Sequence, residues 1–224
     1  LSPAAWGRSP WASSEKPPCR IMGLNGTREP GRQVKEEKNR QYVEVAMAFL
    51  ELVRKRRSVR SYRSDPVPRE VIDRCLEAAR LAPSACNSQP WSFLVIDAPP
   101  IRREFVEAAY SGLHSMNSFA REAPVHIAVI REKARTAARW GGFVKGVDFT
   151  LIDIGMACEH LLLQAAEEEV GSCIMGWFDQ RSVKKVLGLP GRTRVDLLIC
   201  LGYPKENGPA PKQRKTLEEI RRYA

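Results

Sequence analysis

From about residue 47 onward the chain alternates short apolar periodic stretches with polar breaks, and each stretch reads as one element. Phe49, Leu50 and Val53 make a brief helical stripe that runs into a basic cluster. Arg69–Leu81, with Pro68 ahead of it, carries Val71, Ile72, Cys75, Leu76 and Ala79 on one helical face, and Pro83 stops it. Trp91–Ile96 and Val125–Ile130 are β-branched or aromatic runs bounded by proline, the pattern of strands. Arg102–Tyr110 predicts another helix, Arg181–Leu187 a short one, and Arg194–Gly202 a buried strand. Phe149–Glu168 is the longest apolar helix, closed by Gly171. Helices and strands mix without strict βαβ alternation, which favours an α+β fold over a doubly wound sheet.

The long helix is apolar over most of its circumference. Leu151, Ile154, Gly155, Cys158, Leu161, Leu162 and Ala165 follow i, i+3, i+4, i+7 spacing, while Ile152, Ala157 and Leu163 load a second face. Such a helix must be covered on more than one side, either within its own chain or by a second copy. Small residues at Gly155 and Ala157 suit close approach, and charges at Leu162 or Ala165 are expected to split a dimer built on this helix.

The first 46 residues follow no such pattern. Residues 1–33 hold five prolines and no periodicity of 2 or 3.6, which leaves little for a helix or central strand. The expectation for 1–46 is either a flexible extension or a mis-annotated one, with translation in the latter case starting at Met47, ahead of a domain spanning 47–224. Residues 35–46 suit a prolongation of the following helix. No charged-then-apolar leader pattern is present.

Composition narrows the class. With 43% hydrophobic and 28% charged residues the chain is globular rather than disordered. Thirty-six Lys and Arg against 26 Asp and Glu give a formal charge of +10, which implies an anionic partner. Six scattered cysteines without a C-x-x-C pair, and three histidines without a partner at i, i+4, argue against a metal site and against a disulfide framework. A reducing, cytoplasmic compartment without a membrane span is the expectation.

Three segments carry candidate chemistry. Arg54–Arg60, extended by Arg63, gathers guanidinium groups around a hydroxyl and suits a phosphate, or equally a solvated basic helix end or a nucleic-acid patch. Pro83–Trp91 is a loop of small polar residues between two prolines, whose Asn87 and Gln89 suit a planar heterocycle or simply cap a turn. Cys86 has no histidine near it in sequence, so thiol catalysis is not expected. Gly171–Asp179 reads as a strand whose glycine lets backbone N–H groups approach a ligand, or as a plain strand-to-helix turn.

Taken in order, these segments resemble the FMN-dependent nitroreductase family. Its R-R-S-x-R opening is Arg56–Arg60, and P-S-x-x-N-x-Q-P-W follows 27 residues later at Pro83–Trp91. Asp153-x-Gly155-x-Ala157 leads into the I-x-G-x-x-D stretch, and a late K-x-R is Lys212-Gln213-Arg214. The resemblance covers about residues 47–220. It implies a nitroreductase-like three-layer α+β sandwich, with a central mixed or antiparallel sheet flanked by helices, and a homodimer that shares FMN across its interface. By position, Arg56, Arg57, Ser58 and Arg60 would hold the flavin phosphate with Lys212 and Arg214. Pro83, Ser84, Ala85 and Asn87 would reach the flavin of the other copy. Asn117 would contact its ring, and Met175 and Gly176 would offer backbone groups near N5. Some members carry Glu-Gly at that last place, where this chain has Gly176-Trp177.

The implied activity is an NAD(P)H oxidoreductase passing hydride through the flavin to a small nitroaromatic, quinone or similar acceptor. Reductive dehalogenation or flavin modification on the same scaffold is the alternative. A basic nucleic-acid-binding protein is the reading from another class, and the absence of an aromatic-basic stripe weighs against it. No G-x-G-x-x-G occurs, consistent with a nicotinamide that stacks transiently over a flavin. Residues 111–119 and 131–148 are expected to shape the pocket, with Phe119, Trp140 and Phe143 as lid or core aromatics.

Overall fold

The computed structural model describes residues 48–134, 146–205 and 212–224, all within the unit Ala46–Ala224. The expectations for 1–46, for Trp140 and Phe143, and for most of the Pro-rich tail at 206–211 lie outside the described residues. Residues 48–55 are helical (α1), followed by α2 (Arg69–Arg80) and a 3-10 turn (Ala85–Asn87). Then come β1 (Trp91–Ile96), α3 (Pro99–Ala109), a longer 3-10 segment (Gly112–Glu122) and β2 (Val125–Arg131). The second half holds α4 (Phe149–Glu167), β3 (Gly171–Met175), α5 (Gln180–Val186), β4 (Arg194–Gly202) and α6 (Leu217–Ile220).

The strands form one sheet in the order β1-β2-β4-β3, and every ladder in it is antiparallel. Among the described residues, parallel pairing is confined to an isolated bridge between Ser58 and Ser172. Side chains alternate across the sheet as the pleat requires. Val125, Ile127 and Val129 of β2, with Ile199 and Leu201 of β4, meet α2 and α4 on one face. Ala128, Leu198, Cys200, Cys173 and Met175 meet α3, α5 and the long 3-10 segment on the other. The result is a three-layer α+β sandwich. Because both faces are covered, β2 and β4 read as nearly continuous apolar runs. The register shifts between Val129 and Ile130, so Asp196 drops out of the ladder, and Arg131 takes its carboxylate through two bonds of 2.7 and 2.8 Å.

Four differences from the sequence expectations have physical causes. α3 starts at Pro99, three residues before Arg102, because Pro99 and Pro100 occupy the first turn, where no intrahelical N–H is needed. α4 is closed by Glu169 in the left-handed region (φ 59°), with Val170 N–H reaching back to the Ala165 carbonyl at 2.8 Å, and not by Gly171. Gly171 is required for another reason: a Cβ there would lie 2.8 Å from Val59 Cγ2. The stripe Phe49, Leu50 and Val53 falls on α1 without making one buried face, Phe49 and Leu50 being exposed and Val53 half-buried.

The fourth difference concerns the faces of α4. Leu162 and Ala165 are 4% and 0% exposed, packed inside this chain's own core with Ile154, Ala157, Cys158 and Leu161. The open face is instead Leu151, Ile152 and Gly155, with Met156 and Leu163 half-buried beside them. Charges at Leu162 or Ala165 therefore disrupt the fold itself. By length and mean hydropathy α4 is apolar enough to cross a bilayer, and its eight buried residues, Asp153 among them, show it serving as the core helix of this sandwich.

Candidate functional site

The arginine segment leaves α1 and runs alongside β3 because Gly171 lets Val59 come close. Val59 N–H donates to the Ser172 carbonyl at 2.9 Å, and Arg63 N–H donates to the Tyr203 carbonyl at 2.8 Å. Extended backbone sends successive side chains to opposite sides. The Ser58 hydroxyl and Arg60 both act on Cys173: burial raises its thiol, while Arg60 and a hydrogen bond from Ser58 pull it down. Arg60 also lies over the Phe119 ring, 5.9 Å from its centroid.

At the other end of the segment, cations from distant parts of the sequence converge. Lys212 Nζ donates to the Val53 carbonyl at 2.7 Å, across 159 residues of chain. Burial, then the neighbouring guanidinium groups of Arg56, Arg214 and Arg57, push the Lys212 ammonium below its ordinary value. Four like charges are thus gathered, and Glu159 is the acid that binds among them, accepting from Arg56 Nε at 3.1 Å and Nη2 at 2.8 Å. A cavity of about 800 Å³ opens beside this segment, lined by Arg56, Arg57, Arg63, Ser172 and Lys205 among others. Its outlying cations are already paired: Lys55 with Glu169, Arg63 with Asp65, Lys205 with Glu122. Among the described residues, the cluster's charge without an ion pair sits at Arg57 and the Lys212–Arg214 pair. Such a cluster suits a phosphate dianion.

The C-terminal end of β3 carries a second arrangement. Met175 is buried and Gly176 is exposed, with nothing but Leu197 within 4 Å of where its Cβ would be. Asn117 Nδ2 donates to the Trp177 carbonyl at 2.7 Å, and the Trp177 indole N–H donates to the Leu113 carbonyl at 3.1 Å. These two bonds pin the 3-10 segment to the strand end. The Trp177 ring is 55% exposed and leans on His114, with centroids 5.2 Å apart. Leu113 and Met116 stand exposed on the same segment, so an apolar surface flanks the free backbone at Gly176.

Pro83, Ser84, Ala85 and Asn87 are not brought to either arrangement by any described contact. Their loop is fastened to α4, where the Asp153 carboxylate accepts Ala85 N–H at 3.1 and 3.2 Å. Asp153 and Glu159 are six residues apart on that helix, about 9 Å along its axis, so one helix holds both segments at separate points. Pro83 and Asn87 are exposed, Ser84 and Ala85 half-buried. The loop is thus presented outward from this chain. Sequence reasoning missed the roles of Glu159, His114 and Trp177 and quoted Asp153 only as part of a motif. The available signal was an acidic side chain inside an otherwise apolar helix.

Comparison with known proteins shows what the chain resembles. The nitroreductase family model matches residues 53–203, from the end of α1 through all four strands. A Thermus thermophilus protein named NADH dehydrogenase is 32% identical over 198 residues, covering 74% of this chain and 91% of that one. Iodotyrosine deiodinase 1 of Rattus norvegicus is 28% identical over 235 residues, covering 94% of this chain and 78% of its own. A protein from Exiguobacterium sibiricum, solved in complex with FMN, shares the fold with a TM-score of 0.66 at 24% identity, covering 79% of this chain and 97% of that one. Since the family match spans every strand of the sheet and the arginine segment laid along its edge, the chain belongs to the nitroreductase family.

Proposed function

We propose that the chain is an FMN-dependent NAD(P)H oxidoreductase that works as a homodimer. The observation that carries this reading is the convergence of Arg56 and Arg57 with Lys212 and Arg214, four cations among which Glu159 is the one acid that the described residues bring. Its cations match a flavin phosphate, and Ser58 and Arg60 continue along the same edge of the sheet toward Met175 and Gly176. There the exposed backbone of Gly176 and the pinned Asn117 suit the polar rim of an isoalloxazine ring. Bound in that place, FMN would supply two-electron chemistry, accepting from a nicotinamide and giving to a small aromatic acceptor. The protein's part is to hold and orient. The guanidiniums fix the phosphate, the Gly176 backbone lets the ring come close, and the Trp177–His114–Leu113 surface shields one side from water. Pro83, Ser84, Ala85 and Asn87 face outward and would complete the site of the second copy, which meets this one across the open face of α4.

Titration of the purified protein with FMN, followed by NADH oxidation with and without a nitroaromatic or quinone, tests the reading. Saturation at one flavin per chain and acceptor-dependent turnover are expected. A protein that takes up no flavin refutes it. A second reading, reductive dehalogenation of an aromatic substrate, is favoured by the deiodinase relative, whose likeness extends over 94% of this chain. Release of iodide from an iodophenol under reducing conditions separates the two.

A further inference from the structure

The loop 83–91 contains three residues other than glycine in the left-handed region: Cys86 at φ 53°, Asn87 at φ 51° and Gln89 at φ 47°. Conformations of this kind persist only where the surroundings over-determine them. Part of the restraint is internal. Gln89 N–H donates to Ser84 Oγ at 2.9 Å, the Ser88 hydroxyl donates to the Ala85 carbonyl at 2.6 Å, and Gln89 Nε2 donates to Asn87 Oδ1 at 2.9 Å. These three bonds close the loop on itself, and Glu132 N–H donating to the Pro90 carbonyl at 3.0 Å holds its C-terminal end, which leaves the placement of its first half open.

The tether comes from α4. Asp153 is 3% exposed and lies five residues past Asp148, the residue that caps the helix, so it has no capping duty of its own. Its neighbours Ile154 and Ala157 belong to the apolar core. A carboxylate is costly in such surroundings unless it is hydrogen-bonded. Among the described residues no Lys or Arg forms an ion pair with it, and the donor that reaches it is Ala85 N–H, shared between both oxygens. An apolar side chain would fill the position at less cost. What the carboxylate adds is one fixed point for the loop.

We propose that Asp153 is a positioning residue for the flavin loop: its bond to Ala85 N–H sets where Pro83, Ser84 and Asn87 stand and so preorganises them for cofactor. Ile152 and Gly155, on either side of it, lie on the open face of α4. The same helical turn therefore carries the loop anchor and borders the surface proposed to meet the second copy. Naming flavin as the ligand rests on the proposed function; the anchoring itself does not.

The test compares Asp153→Ala and Asp153→Asn with wild type in the full chain, by amide hydrogen exchange and by FMN titration. In Asp153→Ala, exchange across 84–89 is expected to accelerate while β2 and β4 keep wild-type protection. The FMN dissociation constant is expected to rise about tenfold, the loss of one charge-assisted hydrogen bond. Asp153→Asn should restore both readouts to within a few-fold, because its carboxamide oxygen can still accept Ala85 N–H. Unchanged exchange at 84–89 in Asp153→Ala overturns the proposal, as does acceleration shared equally by β2 and β4, which marks a purely structural role. FMN affinity unaltered despite a released loop overturns the link to cofactor. If wild type itself takes up no flavin, the functional reading falls, and the exchange data still decide whether Asp153 anchors the loop.

Discussion

Replacing Ile152 by Glu probes the open face of α4. Ile152 and Leu151 are 50% and 47% exposed in the single chain. Fully burying such a side chain is worth about 1.5–3 kcal/mol, so the exposed halves hold roughly 0.8–1.5 kcal/mol each. Across a twofold axis each residue occurs twice, and together they offer about 3–6 kcal/mol to association. Ile152→Glu forfeits half of that and places two carboxylates where water is excluded. The dimer dissociation constant should rise about a hundredfold or more. Sedimentation at low micromolar protein, read with flavin absorbance, checks this. Wild type should travel as two chains and carry flavin; the variant should travel as one chain and lose it. Its circular dichroism should match wild type, because Ile152 belongs to neither core cluster. Leu162→Glu is the contrast: at 4% exposure it should unfold the chain rather than split a pair. An Ile152→Glu protein that sediments like wild type with a full complement of flavin refutes the reasoning.

Three further outcomes are expected. Arg56→Ala should weaken FMN binding by about ten- to a hundredfold, the range for one charge-assisted phosphate contact, as read by fluorescence titration; an unchanged affinity would remove the cluster from the phosphate site. Trp177→Ala should raise KM for an aromatic acceptor by about two- to tenfold and leave turnover with ferricyanide alone, while Trp177→Phe should behave nearly as wild type. The third concerns acid stability. Burial holds the His126 ring down at about 3, against the bond it makes to the Ala120 carbonyl at 2.9 Å. The unfolded chain therefore takes up its proton first, near pH 6.5. This contribution to stability is complete above that value and is lost as pH falls toward 3, by at most about 1.4 kcal/mol per unit. His126→Gln should flatten that acid limb in urea melts recorded from pH 7 to 4; a limb as steep as wild type would show another group to be responsible.

Much of the frame was legible before any coordinates. The apolar runs Trp91–Ile96, Val125–Ile130 and Arg194–Gly202 fall on strands because the sheet is covered on both faces, most fully at β2 and β4, and β-branched apolar residues are what such strands need. The 3-10 segment at Gly112–Glu122 was harder to read: Leu113, Met116 and Phe119 recur every three residues, the period of a 3-10 turn, but the Ser, Asn and Gly positions between them suit a loop equally well. The faces of α4 were misassigned for a related reason. A helix apolar nearly all round gives period little to act on, so spacing alone could not tell Leu162, which is buried, from Ile152, which is not. At the site, the convergence of Arg56 with Lys212 followed from resemblance rather than from residues, because 156 positions separate them. The partners Glu159 and Asp153 lay beyond periodicity altogether: a carboxylate's purpose depends on which distant loop folds over it.

Arg56 and Arg57 emerge early in synthesis, whereas Lys212 and Arg214 emerge only after β4 has been made. Among the described residues the sheet is complete at Gly202, so a nascent chain can build its sandwich before its cation cluster has more than half of its charge. If the cluster holds a flavin phosphate as proposed, flavin capture becomes the last act of maturation, one that tells a finished molecule from a truncated one. On that reading, a product trimmed between 203 and 211 should keep its architecture and bind no flavin, so that a yellow preparation would mark an intact C-terminal segment as much as a folded domain.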